Sequence, residues 1–397
     1  MSEKIRDTKT HTLLALIGHS PQVITESIFA LHQHHNIDIS ELKVVTTSAN
    51  RKNTWQSLSK PRSNGKSALD NIAMDYGFKK INFCYDDILV PIDANGDEIQ
   101  DVKSELEMKA VAQFLLSLVR EKTSDKNTSL HASLAGGRKT MTFYLSYAMS
   151  IYGRPQDSLS HVFVSYPYES SEFYYPTPYS HLISTKKGFC DAKDAVITLA
   201  NIPHVQLRSS LPNKFIEQDI SFEESEKIYA IINAAVSLII KIKEHVIVCS
   251  GVELKLSPAN FAFYLLMVDD LLNAHEGFDG PSSEEPDALL ALLYLNKRLK
   301  LEGHPHKFVN LAEAIDYADN HILSMKTVEL EGLKAGLKKT FFNDRKNQIS
   351  KLLRNELPEV VAEHYDIDSI EKITKYGSSK KVNYFGLNIE QNFVSYR

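Results

Sequence analysis

Leu13-Leu14-Ala15-Leu16-Ile17-Gly18-His19-Ser20-Pro21-Gln22-Val23-Ile24-Thr25-Glu26-Ser27 is the stretch that decides the fold. Leu13–Ile17 is an apolar run of strand length. Gly18-His19-Ser20-Pro21 interrupts it, and a helical pattern runs on from Gln22 to Leu31. The same order recurs downstream. Lys43–Thr47 and Ile81–Tyr85 read as strands, and Glu105–Arg120 has helical periodicity. Leu130–Leu134 is strand-like and passes through Ala135-Gly136-Gly137-Arg138 into a helix at Thr140–Tyr152. His161–Ser165 and Ala195–Leu199 complete the strand set. Strands alternating with helices imply βαβ units and an α/β fold with a mostly parallel sheet, covered on both faces.

With 397 residues, the chain suits two to three domains. Its 43% hydrophobic and 24% charged residues exclude wholesale disorder. Three widely spaced cysteines, Cys84, Cys190 and Cys249, exclude a disulfide scaffold and a Cys-x-x-Cys zinc site. They fit a reducing cytoplasm. No run of 18 apolar residues and no apolar leader appear, so membrane spanning and secretion are not expected. The net charge of -5 disfavours nucleic acid for the chain as a whole, but charge is unevenly spread. Acids and bases balance through residue 205. Lys334, Lys338, Lys339, Arg345, Lys346, Lys351 and Arg354 then form a basic stripe interrupted only by Asp344.

The second half changes character. Glu223–Lys243 reads as a long helix, giving a helical linker at 206–245 between a domain at 1–205 and another at 246–397. Val246–Cys249, Ser250-Gly251 and Val252–Leu256 read as a hairpin. Ser257 then caps a helix with Pro258 at its first position, running to about Leu272. Asp287–Leu299, Leu311–Leu323 and Leu333–Arg354 read as further helices, and Tyr384–Phe393 as a strand or hairpin end.

Two loops stand where a strand hands over to a helix, the position at which open α/β sheets bind ligands. Gly18-His19-Ser20-Pro21-Gln22 offers backbone N–H groups at a helix N-terminus, suited to an anion. Alternatively, Ser20 only caps the helix. Gly136-Gly137-Arg138-Lys139-Thr140 places two cations at a helix N-terminus, where positive charge is unfavourable unless an anion offsets it. Its glycines let a ligand approach the backbone. Arg51–Lys66, basic and containing the lone Trp55, reads as a loop for phosphate contact and base stacking through Arg51 and Trp55, or as a solvated loop. Tyr166-Pro167-Tyr168 and Phe173-Tyr174-Tyr175-Pro176 are candidate pocket walls or packing.

Residues 16–27, Ser133–Met141 (Ser-Leu-Ala-Gly-Gly-Arg-Lys-Thr-Met) and Tyr152–Val162 together resemble one family. It is the CRISPR-associated Rossmann-fold (CARF) ring nucleases of type III CRISPR systems. The resemblance covers roughly the first half. It implies a Rossmann-like homodimer that binds cyclic oligoadenylate, with cyclic tetra-adenylate as the expected ring, and cuts it without metal or cofactor. The ring's 2′-hydroxyl attacks the adjacent phosphate and leaves a 2′,3′-cyclic phosphate. The family's serine falls on Ser20 and its lysine on Lys139. Ser20 would hold the phosphate or 2′-hydroxyl in line, and Lys139 with Arg138 would stabilise the added charge. No carboxylate pair or histidine cluster of metal-ligand spacing lies nearby, which suits that mechanism. His19 varies the motif and is a candidate for acid–base work.

The second half resembles a winged helix-turn-helix domain of the response-regulator type, with an insertion at 277–330. Arg345–Arg354 would be the recognition helix and Gly377–Lys381 the wing tip, making DNA a partner for residues 333–381. A helical dimerisation or lid domain is the alternative. Two other functions compete with ring cleavage. One is a ring-responsive DNA-binding regulator that does not cut. The other is a ring-activated HEPN ribonuclease, whose signature is Arg, four to six residues, then His. Arg298/His304 fits that spacing, and so do Arg6/His11 and Arg154/His161 in the other half.

Overall fold

The structure, a computed structural model, describes residues 10–169, 172–218, 220–273, 277–279, 286–304, 306–322, 325, 327–374 and 381–397. They divide into two compact units. One runs to Ser209 and includes 220–222; the other holds the remainder from Ser210 onward.

The first unit is built on strands β1 (Thr10–Leu16), β2 (Glu41–Val45), β3 (Ile88–Leu89), β4 (Thr128–Ser133), β5 (Ser158–Val164) and, after the small hairpin β6 (Leu182–Thr185) and β7 (Gly188–Asp191), β8 (Ile197–Asn201). The main sheet has the order β3-β2-β1-β4-β5-β8. All neighbours are parallel except β5 and β8, so the expected last strand is present but runs antiparallel along an edge. Helices α1 (Gln22–His35), α2 (Ser48–Ser59), α3 (Ala68–Tyr76), α4 (Glu105–Lys122) and α5 (Lys139–Tyr152) alternate with the strands. This is the mixed α/β, mostly parallel architecture that the alternation predicts. β1 is apolar on both faces because both are covered; Leu13 to Ile17 are all buried. The chain moves outward from β1 to β2 and β3, then returns across β1 to β4. The strand order therefore reverses between β1 and β4.

Two expectations for this unit change. Ile81–Tyr85 is not a strand: Ile81 to Cys84 are loop, a single 3-10 turn spans Tyr85–Asp87, and β3 begins at Ile88. The aromatic side chains that suggest a strand serve packing instead, Phe83 and Tyr85 both meeting Trp55. Nor is Arg51–Lys66 a loop throughout, since its first part belongs to α2. No Gly or Pro stops that helix before Pro61.

The second unit has two sheets around a helical core. Helices α6 (Asn213–Glu217) and α7 (Phe222–Ile232) precede β9 (Leu238–Lys241), β10 (Val246–Cys249) and β11 (Val252–Lys255). The expected helix over Glu223–Lys243 thus stops at Ile232, and its last residues form a strand paired with β10. The helical linker at 206–245 is corrected accordingly. The hairpin turn stands at Ser250-Gly251, both with positive φ, as a two-residue turn between right-twisted strands requires. Helix α8 (Pro258–Leu272) is capped by Ser257, whose hydroxyl accepts from the Asn260 N–H at 3.3 Å. Then come β12 (Phe278–Asp279), α9 (Ala288–Leu301), α10 (Leu311–His321), α11 (Thr327–Leu333), α12 (Lys339–Glu356), α13 (Glu359–Ala362), β13 (Ile367–Thr374), β14 (Lys381–Leu387) and β15 (Val394–Tyr396). Of the helix expected over Leu333–Arg354, only the part from Lys339 is α12; Leu333 ends α11, and Lys334 to Lys338 turn through Gly336 at φ +113°. β12, β14 and β13 form a three-stranded sheet. The core gathers Phe261, Phe263, Tyr264, Tyr294, Phe342 and Tyr365. No described helix is long and apolar enough to cross a membrane.

Candidate functional site

The loops following β1 and β4 lie side by side, because those strands are parallel neighbours with Ala15 opposite Ser133. They frame a cleft of about 690 Å³ at the carboxyl edge of the sheet, at the reversal of strand order. Its lining includes Gly18, His19 and Ser20 from the first loop and Gly136, Gly137 and Arg138 from the second. Thr47 and Asn50 contribute from beyond β2, and Asp101 and Lys103 from the approach to α4.

The glycines have an internal explanation. A Cβ on Gly136 would lie 2.4 Å from the Leu16 carbonyl oxygen, and Gly137 has φ +85° with Leu16 Cβ only 3.1 Å from its own Cβ position. The second loop is pressed onto the end of β1, and side chains there would force the two apart. This contact makes the cleft floor.

Helix α1 begins after Pro21, and no side chain caps it. The Ser20 hydroxyl is thus not used as a cap. It is exposed in the cleft with no hydrogen-bond partner among the described residues. Pro21 is buried.

At α5 the misplaced cations divide. Arg138 pairs with Asp101, and the guanidinium holds that carboxyl below the usual carboxylate range. An internal acid therefore offsets the charge that sequence reasoning assigned to an external anion. Lys139 occupies the first turn of α5, exposed and without an ion-pair partner among the described residues. It does not line the cleft wall; it follows Arg138 in the chain and precedes the exposed Thr140.

Arg51 and Trp55 are not in this cleft. Arg51 donates to Glu98 at 2.5 Å and stacks 4.4 Å above Tyr85, while Trp55 packs against Phe83 and the core. Arg62, further along, lies 3.8 Å over Tyr174. Tyr168, Phe173 and Tyr175 are buried, so those aromatic clusters mainly pack.

A second cleft, of about 320 Å³, opens on the other side of the first loop. His19 and Ser20 line both. Gln22, Val23 and Glu26 of α1, residues 161–164 of β5 and Glu169 complete it. Sequence reasoning passed over Glu26, although Gln22 and Glu26 are four apart and share a helix face that a buried helix would keep apolar. Burial, reinforced by Glu169, raises the Glu26 carboxyl to about 7.

The third stretch behind the resemblance, Tyr152–Val162, is structural at Arg154 and Asp157. Arg154 Nε donates to Asp157 at 2.8 Å, and its Nη2 to the Thr128 carbonyl at 2.9 Å. Asp157 in turn accepts from the Leu130 N–H at 2.8 Å. This buried ion pair fixes the start of β4, and with it the loop carrying Arg138.

In the second unit, Arg298 is 2% exposed and pairs with Glu302, while His304 bonds to Tyr317 at 3.0 Å. The pair that fits the HEPN spacing is thus engaged in packing. Arg6, from a second such match, lies outside the described residues. So does the expected wing tip at 377–381, except Lys381.

No curated protein matches the chain. Residues 20–234 match the family described as CRISPR-associated protein NE0113 (Cas_NE0113). They span the first unit from Ser20 onward, with Ser20 and most of the lining of both clefts, but begin after Gly18 and His19. Because the match covers more than half of the chain, the protein belongs to this family of CRISPR-associated proteins.

Proposed function

We propose that the protein is a ring nuclease of type III CRISPR signalling, which binds cyclic oligoadenylate at the β1/β4 cleft and cleaves it. What carries the reading is the unengaged Ser20 hydroxyl in a cleft lined by Arg138, with the exposed Lys139 next in the chain, at the reversal of strand order. In the proposed reaction a ribose 2′-oxygen bonds to the adjacent phosphorus as the bond to the 5′-oxygen breaks. The 2′-hydroxyl proton ends on the departing 5′-oxygen, and a 2′,3′-cyclic phosphate remains. Ser20 aligns the phosphate, and Lys139 meets the charge on the phosphoryl oxygens or the leaving group. Two copies related by a two-fold axis hold one ring. The test is incubation with cyclic tetra-adenylate in EDTA, with products resolved by chromatography. Linear products ending in a cyclic phosphate are expected, and intact ring overturns the reading. Lys139→Ala should lower the cleavage rate by about 10²–10³ while binding falls less.

A second reading concerns the C-terminal unit. β12 lies in sequence between α8 and α9 yet pairs with the hairpin that follows α12, an arrangement that favours a winged-helix module contacting DNA. Arg354 is committed to Glu359 and Asp366, and Lys346 lies 3.7 Å from Asp368. Lys338, Lys339 and Lys351 are the exposed cations left for phosphate contact. A salt-dependent shift of duplex DNA, weakened by Lys351→Glu, is the expected result; no shift at low salt overturns it.

A further inference from the structure

The second cleft contains a group that ring cleavage as described does not use. Glu26 is 6% exposed, lines the cleft, and has no hydrogen-bond partner among the described residues. Its unpaired carboxyl opens into the cleft, where a ligand can complete its hydrogen bonds. Around it are the surfaces a flat ring would use. Val23, Val162 and Val164 are apolar walls, and Phe163 is largely exposed, its ring 4.4 Å from that of His161. The volume is at the lower bound of small-ligand sites, roughly 300 Å³, which suits one base rather than a whole nucleotide chain.

We infer that this cleft is a base-recognition subsite in which the Glu26 carboxyl reads the hydrogen-bonding edge of an adenine. The inference rests on the ring-nuclease reading and assigns the base beside the phosphate held at Ser20, since His19 and Ser20 line both clefts. The chemistry discriminates between purines. Adenine offers an amino donor beside a ring-nitrogen acceptor, whereas guanine offers two adjacent donors. A neutral carboxylic acid has one acceptor and one donor and matches adenine. An ionised carboxylate has acceptors only and matches guanine. With a pKa of about 7, Glu26 presents the neutral form below neutrality. His161 on β5, His19 and Glu169 face it from the cleft. β8, also packed on α1, has no titratable residue. On α3, Asp70 is paired with Lys80, Tyr175 donates to Asp75, and Tyr76 donates to the Pro176 carbonyl.

The experiment measures binding of cyclic tetra-adenylate, and of a ring with guanine in place of adenine, from pH 6 to 8.5. Wild type should prefer adenine at pH 6 by about 10-fold or more and lose much of that preference by pH 8.5. Glu26→Gln, whose amide keeps one donor and one acceptor, should bind the adenine ring with no dependence on pH in this range. Glu26→Leu should bind it about 10-fold more weakly than wild type at pH 6. Wild-type-like binding by Glu26→Leu, or the same pH profile in wild type and Glu26→Gln, overturns the inference and leaves the cleavage reading standing. If wild type binds no adenine ring at any pH, both fall.

Discussion

Single atoms decide much at the β1/β4 cleft. Gly136 and Gly18 both line it, yet they differ in what a methyl group would meet. At Gly136 it would meet a backbone carbonyl at 2.4 Å; at Gly18, the Gly137 nitrogen at an ordinary 3.5 Å. Gly136→Ala should therefore lower stability by about 1–3 kcal/mol, and Gly18→Ala by less than about 1, as urea unfolding would show. The glycine pair was legible as a constraint, but its cause was not. A ligand and the protein's own strand both demand a missing Cβ, and only coordinates separate them. The same holds for Arg138, whose unfavourable position was read correctly and whose partner, Asp101, lies 37 residues away in the chain. Asp101→Asn should raise ring affinity several-fold by releasing that guanidinium, with little change in stability, since the pair is solvent-accessible. Unchanged affinity in a titration would remove Arg138 from the site.

Among elements, those with strong punctuation were read to within a few residues. Ser257-Pro258 starts α8 because a hydroxyl and a pre-set φ suit its first turn, and Ser257→Ala should cost about 1 kcal/mol in thermal unfolding. Elements defined only by composition were misread. Phe83 and Tyr85 have strand-like side chains but lie in a loop and the 3-10 turn after it, against Trp55, and a run of polar residues from Ser48 is helical although it has little amphipathic pattern. Leu238–Lys241 continues an apolar helical pattern and becomes a strand because β10 is there to pair with it. The element with the largest expected single effect is the turn before β5. Asp157→Asn would leave Arg154 buried without its counter-charge, a loss of about 3–5 kcal/mol by denaturant unfolding. A loss under about 1 kcal/mol would mean the turn does not fix β4.

For the whole molecule, two buried groups shifted towards neutrality of charge, His131 and Glu26, act in opposite directions on stability. His131, buried beside His11, titrates near 4 instead of 6.5. It takes up a proton on unfolding, so its contribution is present above 6.5 and lost as the pH falls towards 4. Glu26, raised from 4.5 to about 7, gives up a proton on unfolding between those values, so stability declines as the pH rises through that window. Glu26→Gln should accordingly be more stable than wild type at pH 8, by at most roughly 3 kcal/mol, and equal to it at pH 4. A constant difference across the range would show that ionisation of Glu26 does not matter. The Arg138–Asp101 contact has a further consequence at this scale. A phosphate that took Asp101's place on Arg138 would shed a bound small cation, but the freed Asp101 would attract one, so few ions would be released to solution. On a plot of log affinity against log salt, the slope would be shallower, by about 0.7, than the number of basic side chains at the rim suggests.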